Sequence, residues 1–395
     1  QKISRPVRGA RKYYSLRALI LAVAAAVALT AGILFGAAWM MVGPEGLSLA
    51  EAMALINLRF VGTCDKAEVV DAAAEHMIAA LGDRWSLYLN AESYAVQKQS
   101  RDNSYVGIGV TVSYEDERGL LVLSVSGDGP ADAAGILPGE IIIAVDGVSV
   151  AGESRKEGAD RIRGEKGTAV VLELLDEDGG RRTVEVIRDR VEENPVSYQL
   201  LNNGVGLIVL QNFFSRSAEE LKKAVEDLIA QGAGALVFDV RDNPGGYLDE
   251  LTEILDYLLP EGPIFRSRDR AGNEDVTMSD AQCVGLPIAV LVNGNSYSAA
   301  EFFAAQLRET AGAVVAGTRT SGKGYSQQIY PLLNGGAVSI STRAYLTGGG
   351  VSLIGTGLQP DPYVELSDEQ SERLIRGKLK PEEDLQLQAA METLF

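Results

Sequence analysis

Ala18 to Val42 is a run of 25 consecutive uncharged residues, ALILAVAAAVALTAGILFGAAWMMV. A helix that is apolar on every side cannot lie on the surface of a water-soluble domain, so this segment must be buried or in a membrane. A signal-peptide core is usually about 7–15 residues and a bilayer span needs about 20, so the length argues for a retained anchor. Six basic residues (Lys2, Arg5, Arg8, Arg11, Lys12, Arg17) and no acid lie ahead of it. That asymmetry assigns residues 1–17 to the cytoplasm and the bulk of the chain to the far side of a cell membrane crossed once. The competing expectation is cleavage as a signal peptide at Gly36-Ala37-Ala38. The chain opens on Gln1 and not a start methionine, from which we expect its natural beginning to lie upstream.

The remainder has to fold in water, and its charge removes one class of partner. Beyond residue 42 there are 30 Lys and Arg against 54 Asp and Glu. A body that acidic repels phosphate backbones, so no nucleic-acid partner is expected. One histidine (His76) and two cysteines (Cys64, Cys283) exclude metal sites built on several such side chains, and no metal or other cofactor is expected. His76 lies in the Ala-rich helical stretch Ala72–Ala80 and reads as a partly buried helix residue. A hydrolase built on this chain therefore takes its base from another side chain.

Periodicity divides the exported part. Residues 46–98 read as helices, with Asp65 capping and Gly82 ending the second. Residues 104–190 switch to period two, in short strands separated by Gly-, Asp- and Pro-bearing turns. Residues 191–366 alternate strands (205–210, 235–240, 287–292, 313–316, 337–341) with helices (218–231, 248–258, 299–311), which predicts an α/β sheet. Residues 367–395 read as helical and charged. The fold class is thus multidomain α+β, with residues 18–42 as the transmembrane helix.

Three segments of the α/β region carry candidate chemistry: Asp239-Val240-Arg241-Asp242-Asn243-Pro244-Gly245-Gly246, Asn295-Ser296-Tyr297-Ser298-Ala299-Ala300-Glu301 and Ser321-Gly322-Lys323-Gly324-Tyr325-Ser326-Gln327. Ser298 followed by Glu301 ahead of an apolar run fits a capping box, and Ser217…Glu220 makes the same pattern. As a nucleophile, Ser298 would sit at the positive end of a helix beside free amides. Without histidine it needs another base, and a desolvated lysine serves. Lys323 lies in an otherwise uncharged stretch that could keep it dry, and Gln327 could hydrogen-bond its amine. The Asn-Pro-Gly-Gly turn follows a strand and could present N–H groups to a carbonyl.

In the β module, Gly107-Ile108-Gly109-Val110 precedes Gly129-Pro130-Ala131, Leu137-Pro138-Gly139-Glu140 and Val145-Asp146-Gly147. This order resembles a circularly permuted, bacterial-type PDZ domain. Its glycine turn could hold a terminal carboxylate while the strand edge pairs with the incoming peptide. The serine, lysine and glutamine elements, with 25 residues from Ser298 to Lys323, resemble the C-terminal processing peptidases. The likeness extends to Leu81–Leu89, Gly357–Asp361 and Asp384–Ala389.

That resemblance implies a crotonase-like α/β serine peptidase core, with Ser298 as nucleophile, Lys323 as general base and Gln327 orienting the lysine. It also implies an oxyanion hole from the amide of Ala299 and that of Gly245 or Gly246. Substrates would be exported polypeptides with exposed C-termini, captured through Gly107, Ile108, Gly109 and Val110. The resemblance further suggests a homodimer joined through the helical terminal regions, and a gating role for Arg163 where the PDZ module meets the core. Two other expectations compete: a catalytically silent PDZ adaptor, and an acyl-CoA enzyme, which export disfavours.

Overall fold

The computed structural model describes residues 15–394. Most of the expected cytoplasmic tail, residues 1–14, lies outside the described residues. The chain divides into two units, Gln1–Val70 and Asp71–Phe395. In the first, the helix Leu16–Arg59 is interrupted at Gly43, whose φ of 65° no helix accommodates, directly before Pro44. Leu16–Ala37 is long and apolar enough to cross a membrane, with mean hydropathy 2.6 and none of it buried in protein. Length and composition of this kind fit an anchor and a signal sequence alike.

In the second unit, a five-stranded sheet runs in the order Val196–Leu200, Val205–Leu210, Ala235–Asp239, Ile288–Val292, Val314–Gly317. The last four strands are parallel. Ala235–Asp239 and Ile288–Val292 are buried at every position, as a sheet covered on both faces requires. Leu236, Phe238 and Val290 face the helices Ser217–Ala230, Leu248–Leu258 and Ala299–Ala311. Ala235, Val237 and Leu291 face the other way, where Leu387 and Ala390 of the C-terminal helix Leu385–Met391 cover them. A second sheet joins Leu87–Leu89, Ala337–Thr347, Gly262–Asp269, Glu274–Ser279 and Tyr325–Pro331.

The β module closes on its own core, formed by Leu120, Ile142, Val145, Val170, Leu172 and Leu174. Short pairing of Ser104–Gly107 with Asp189–Glu192 marks its two ends.

The strands depart from the sequence expectation in several places. Leu87–Leu89 lies in a segment expected to be helical, the hairpin Gly262–Ser279 went unforeseen, and Tyr325–Pro331 falls where a loop was expected. Tyr325–Pro331 shows no clean inside–outside alternation, so its strand character comes from pairing with Ala337–Thr347.

Candidate active site

Two parallel strands end beside each other, at Asp239 and Val292, and the turns that leave them build one constellation. Ser298 precedes the helix Ala299–Ala311 at φ 58°, ψ −122°. An ordinary N-cap is extended. A buried serine forced to positive φ stores strain of the kind found at functional turns. The turn is pinned below by Ser296, whose hydroxyl donates to Val240 O at 2.6 Å.

The Asn243-Pro244-Gly245-Gly246 turn packs directly on Ser298. A methyl group on Gly245 would stand 2.9 Å from both Ser298 Cβ and Ala299 N, so the approach requires glycine. The Gly245 amide donates to Asn243 Oδ1 at 2.8 Å, and Asn243 Nδ2 donates to Leu210 O at 2.7 Å. Gly245 is therefore not a free donor. Among the described residues the amides of Gly246 and Ala299 donate to no protein group, which leaves these two free to meet an oxyanion.

Glu301, fully buried, joins serine to lysine. Its carboxylate accepts from Ser298 N at 2.9 Å and Lys323 N at 2.8 Å on one oxygen, and from Thr320 Oγ1 at 2.5 Å and Gly322 N at 2.7 Å on the other. Four donors on one carboxylate lock the two chain segments in register. Thr320 Oγ1 also accepts from Leu358 N at 2.7 Å, which draws in the Gly357–Asp361 segment.

Lys323 Nζ lies 4.9 Å from the Trp85 ring and 5.6 Å from the Tyr297 ring. Burial, then the positive charge of Arg101, lowers its pKa from 10.5 to about 8, against the opposing pull of Glu301 and Asp83. Arg84 lies over the same Trp85 ring, 4.3 Å from its centre, and donates to Ser321 O at 3.2 Å. Asp83 fixes this segment by accepting from Ser86 Oγ at 2.6 Å and Trp85 N at 3.1 Å.

Two expected contacts are not made. Gln327 Nε2 donates to Tyr325 O and Ser341 Oγ, both at 3.0 Å, and does not reach the lysine amine. Lys323 Nζ forms no hydrogen bond with Ser298 Oγ either, as is common before substrate arrives. His76 is exposed, not partly buried, and its Nδ1 pairs with Ala72 O at 2.8 Å within its own helix.

In the β module, Gly107, Ile108, Gly109 and Val110 line a groove of about 810 Å³, faced by Ala159 and Ile162 and reaching Asn212 and Phe214 of the α/β region. Gly109 takes φ 82°, and the amides of Ile108 and Gly109 are without protein acceptors among the described residues. Arg163 stands at the groove, exposed, with a solvent-side pair to Asp160 at 3.1 Å. The arginine that grips backbone carbonyls is instead buried Arg188, which bonds the carbonyls of Ile162, Ala169 and Arg161, each at 2.8 Å.

Trp85, Tyr297, Glu301 and Arg101 were not singled out by sequence reasoning as site residues. Glu301 alone had a local signal, as the acid of a capping box, and that signal pointed to a cap and not to a bridge.

The sequence matches Peptidase family S41 over residues 204–364 and a PDZ domain over residues 121–176. It is 32% identical over 320 residues to the carboxy-terminal-processing protease of Bartonella bacilliformis, covering 78% of this chain and 73% of that relative. The carboxy-terminal processing protease CtpA of Bacillus subtilis is 32% identical over 322 residues, covering 81% and 69%. A solved structure of a Bacteroides fragilis protein assigned to S41 overlays 85% of this chain and 92% of its own at a TM-score of 0.55, with 17% identity, a likeness of fold alone.

Proposed function

The chain belongs to peptidase family S41, the carboxy-terminal processing proteases, and carries a PDZ domain; on that premise we propose that Ser298 is its nucleophile and Lys323 its general base. The single observation that supports this most is the buried Glu301 carboxylate, which ties the backbones of the serine and the lysine together. The neutral lysine amine takes the Ser298 proton as Oγ attacks the scissile carbonyl. The oxyanion accepts from the amides of Ala299 and Gly246, and the ammonium returns the proton to the departing amine. Water, deprotonated by the same lysine, then releases the acyl group. Gln327 joins only after a shift that turns its amide toward the lysine.

Polypeptides with exposed, nonpolar C-termini are the substrates in this reading, and the tail docks as an added strand along Gly107–Val110 with its carboxylate on the free amides. Tail binding draws Lys323 toward Ser298, with Arg163 as the gating contact, which requires tighter binding to the active arrangement. The PDZ module is taken as residues 104–190 and the peptidase core as 191–366. Residues 18–42 hold the protein in a cell membrane with its catalytic part outside the cytoplasm, and two copies join through residues 46–98 and 367–395.

Labelling by a serine-directed phosphonate tests the site. Wild type reacts, and the S298A and K323A chains, still folded, do not. Labelling that persists in S298A sinks the assignment. A reporter fused after Gly46 tests the topology by its side of the membrane.

A further inference from the structure

Arg101 closes the helix Ala91–Arg101 and is partly buried. Among the described residues its guanidinium meets no carboxylate and donates no hydrogen bond. It stands beside a pair of aromatic rings, 6.0 Å from Phe214 and 6.0 Å from Tyr247. Other arginines that are not exposed find acceptors: Arg216, Arg241, Arg266 and Arg343 meet carboxylates, and Arg155 and Arg188 bond backbone carbonyls. A guanidinium steadied by aromatic faces keeps its edge donors free and pre-aligned for a carboxylate.

Its position connects the two functional regions. Val96, Gln99 and Ser100, on the same helix, line the groove beside Gly107–Val110. On the other side, Tyr247 follows Gly246, and its amide donates to Phe213 O at 2.6 Å, directly before Phe214. The charge of Arg101 also reaches Lys323, whose amine it helps to keep neutral.

We propose that Arg101 is a carboxylate-binding subsite of the catalytic cleft, which positions a polypeptide through an acidic side chain or its terminal carboxylate as it passes from the groove to Ser298. This rests on the reading of Ser298 and Lys323 as the reacting pair. Arg101 is a positioning residue. The unpaired guanidinium makes a cationic spot inside an acidic protein, which draws carboxylates inward.

Binding of labelled peptides to the full chain carrying S298A separates the possibilities. The peptides are of one length: neutral with a free tail, neutral and amidated, and amidated with a single Glu, Gln or Lys moved along the chain. At one position we expect Glu to bind about tenfold or more tighter than Gln, the gain ordinary for a charge-assisted bond. That ratio falls to unity in R101M, which keeps its aliphatic packing on the rings, and turns in favour of Lys in R101E. R101K retains part of it. If the Arg101-dependent advantage follows the free tail instead, the terminal carboxylate is the ligand. Because each ratio is taken on one variant, a general weakening cancels. Equal Glu-to-Gln and free-to-amidated ratios in wild-type Arg101 and R101M overturn the proposal. Turnover by the S298A chain would instead overturn the nucleophile assignment.

Discussion

Two helices in this protein begin with the same four-residue pattern, Ser217…Glu220 and Ser298…Glu301, and the structure uses them differently. Ser217 is not the cap of its helix: Arg216 is, at φ 73°, and the first amides are satisfied by Glu250 of the neighbouring helix, which accepts from Arg216 N at 3.0 Å and Ala218 N at 2.7 Å. Glu220 faces solvent-side cations, within 3.1 Å of Lys223. Ser298 takes the strained position itself, and Glu301 turns inward to hold a second chain segment. Identical local chemistry therefore yields a packed helix start in one place and a candidate catalytic turn in the other. What distinguishes them is the neighbour each glutamate finds.

The largest difference should appear on removing the serines. S298A and K323A are expected to lose turnover by about four orders of magnitude or more, the scale of removing a nucleophile or base, while S217A stays within about twofold of wild type; steady-state peptide cleavage checks this. K323R should be as inactive as K323A, because guanidinium does not give up its proton.

Glutamate exchange comes next. E301Q replaces an acceptor of four bonds with a group whose NH₂ confronts N–H donors, at a cost of about 1.5–3 kcal/mol for each charge-assisted bond lost. It should lower both kcat and the unfolding midpoint, whereas E220Q should move neither by more than about 0.5 kcal/mol. Denaturant titration beside the assay separates the two sites.

The pH profile gives a smaller but directional test. Lys323 acts as base only when neutral, so kcat/KM should rise with pH through about 8 and then level. Its folded pKa lies below the unfolded value, so the unfolded chain holds the extra proton between about 8 and 10.5. The lysine's contribution to stability should rise with pH across that window, with the full penalty present below it. A rate limb near 6 that vanishes in H76Q would contradict this.

The smallest effect is a change of sign. S298G should relieve positive φ and raise thermal stability by about 1 kcal/mol while abolishing turnover. S217G, placed where φ is ordinary, should lower stability by a similar amount.

Several features were legible in the sequence because they are written in local spacing. The apolar run, the change of period at Ser104, and the helices and parallel strands around Ala235–Asp239 and Ile288–Val292 all follow from patterns within a few residues. The positions of Ser298, Lys323 and the glycine turn were legible through motif order. Tertiary structure alone decided which groups serve them. It spends the Gly245 amide on Asn243 and leaves that of Gly246 free, and it turns Gln327 toward Ser341. It brings Trp85 and Tyr297, 212 positions apart, to a ring separation of 6.0 Å beside one amine. It also makes Glu301, the acid of the expected capping box, a bridge to the lysine segment as well. Periodicity reports which face of an element is apolar, but hydrogen-bond partners and the dryness of a lysine depend on what other elements bring to the same point, and no local pattern records that.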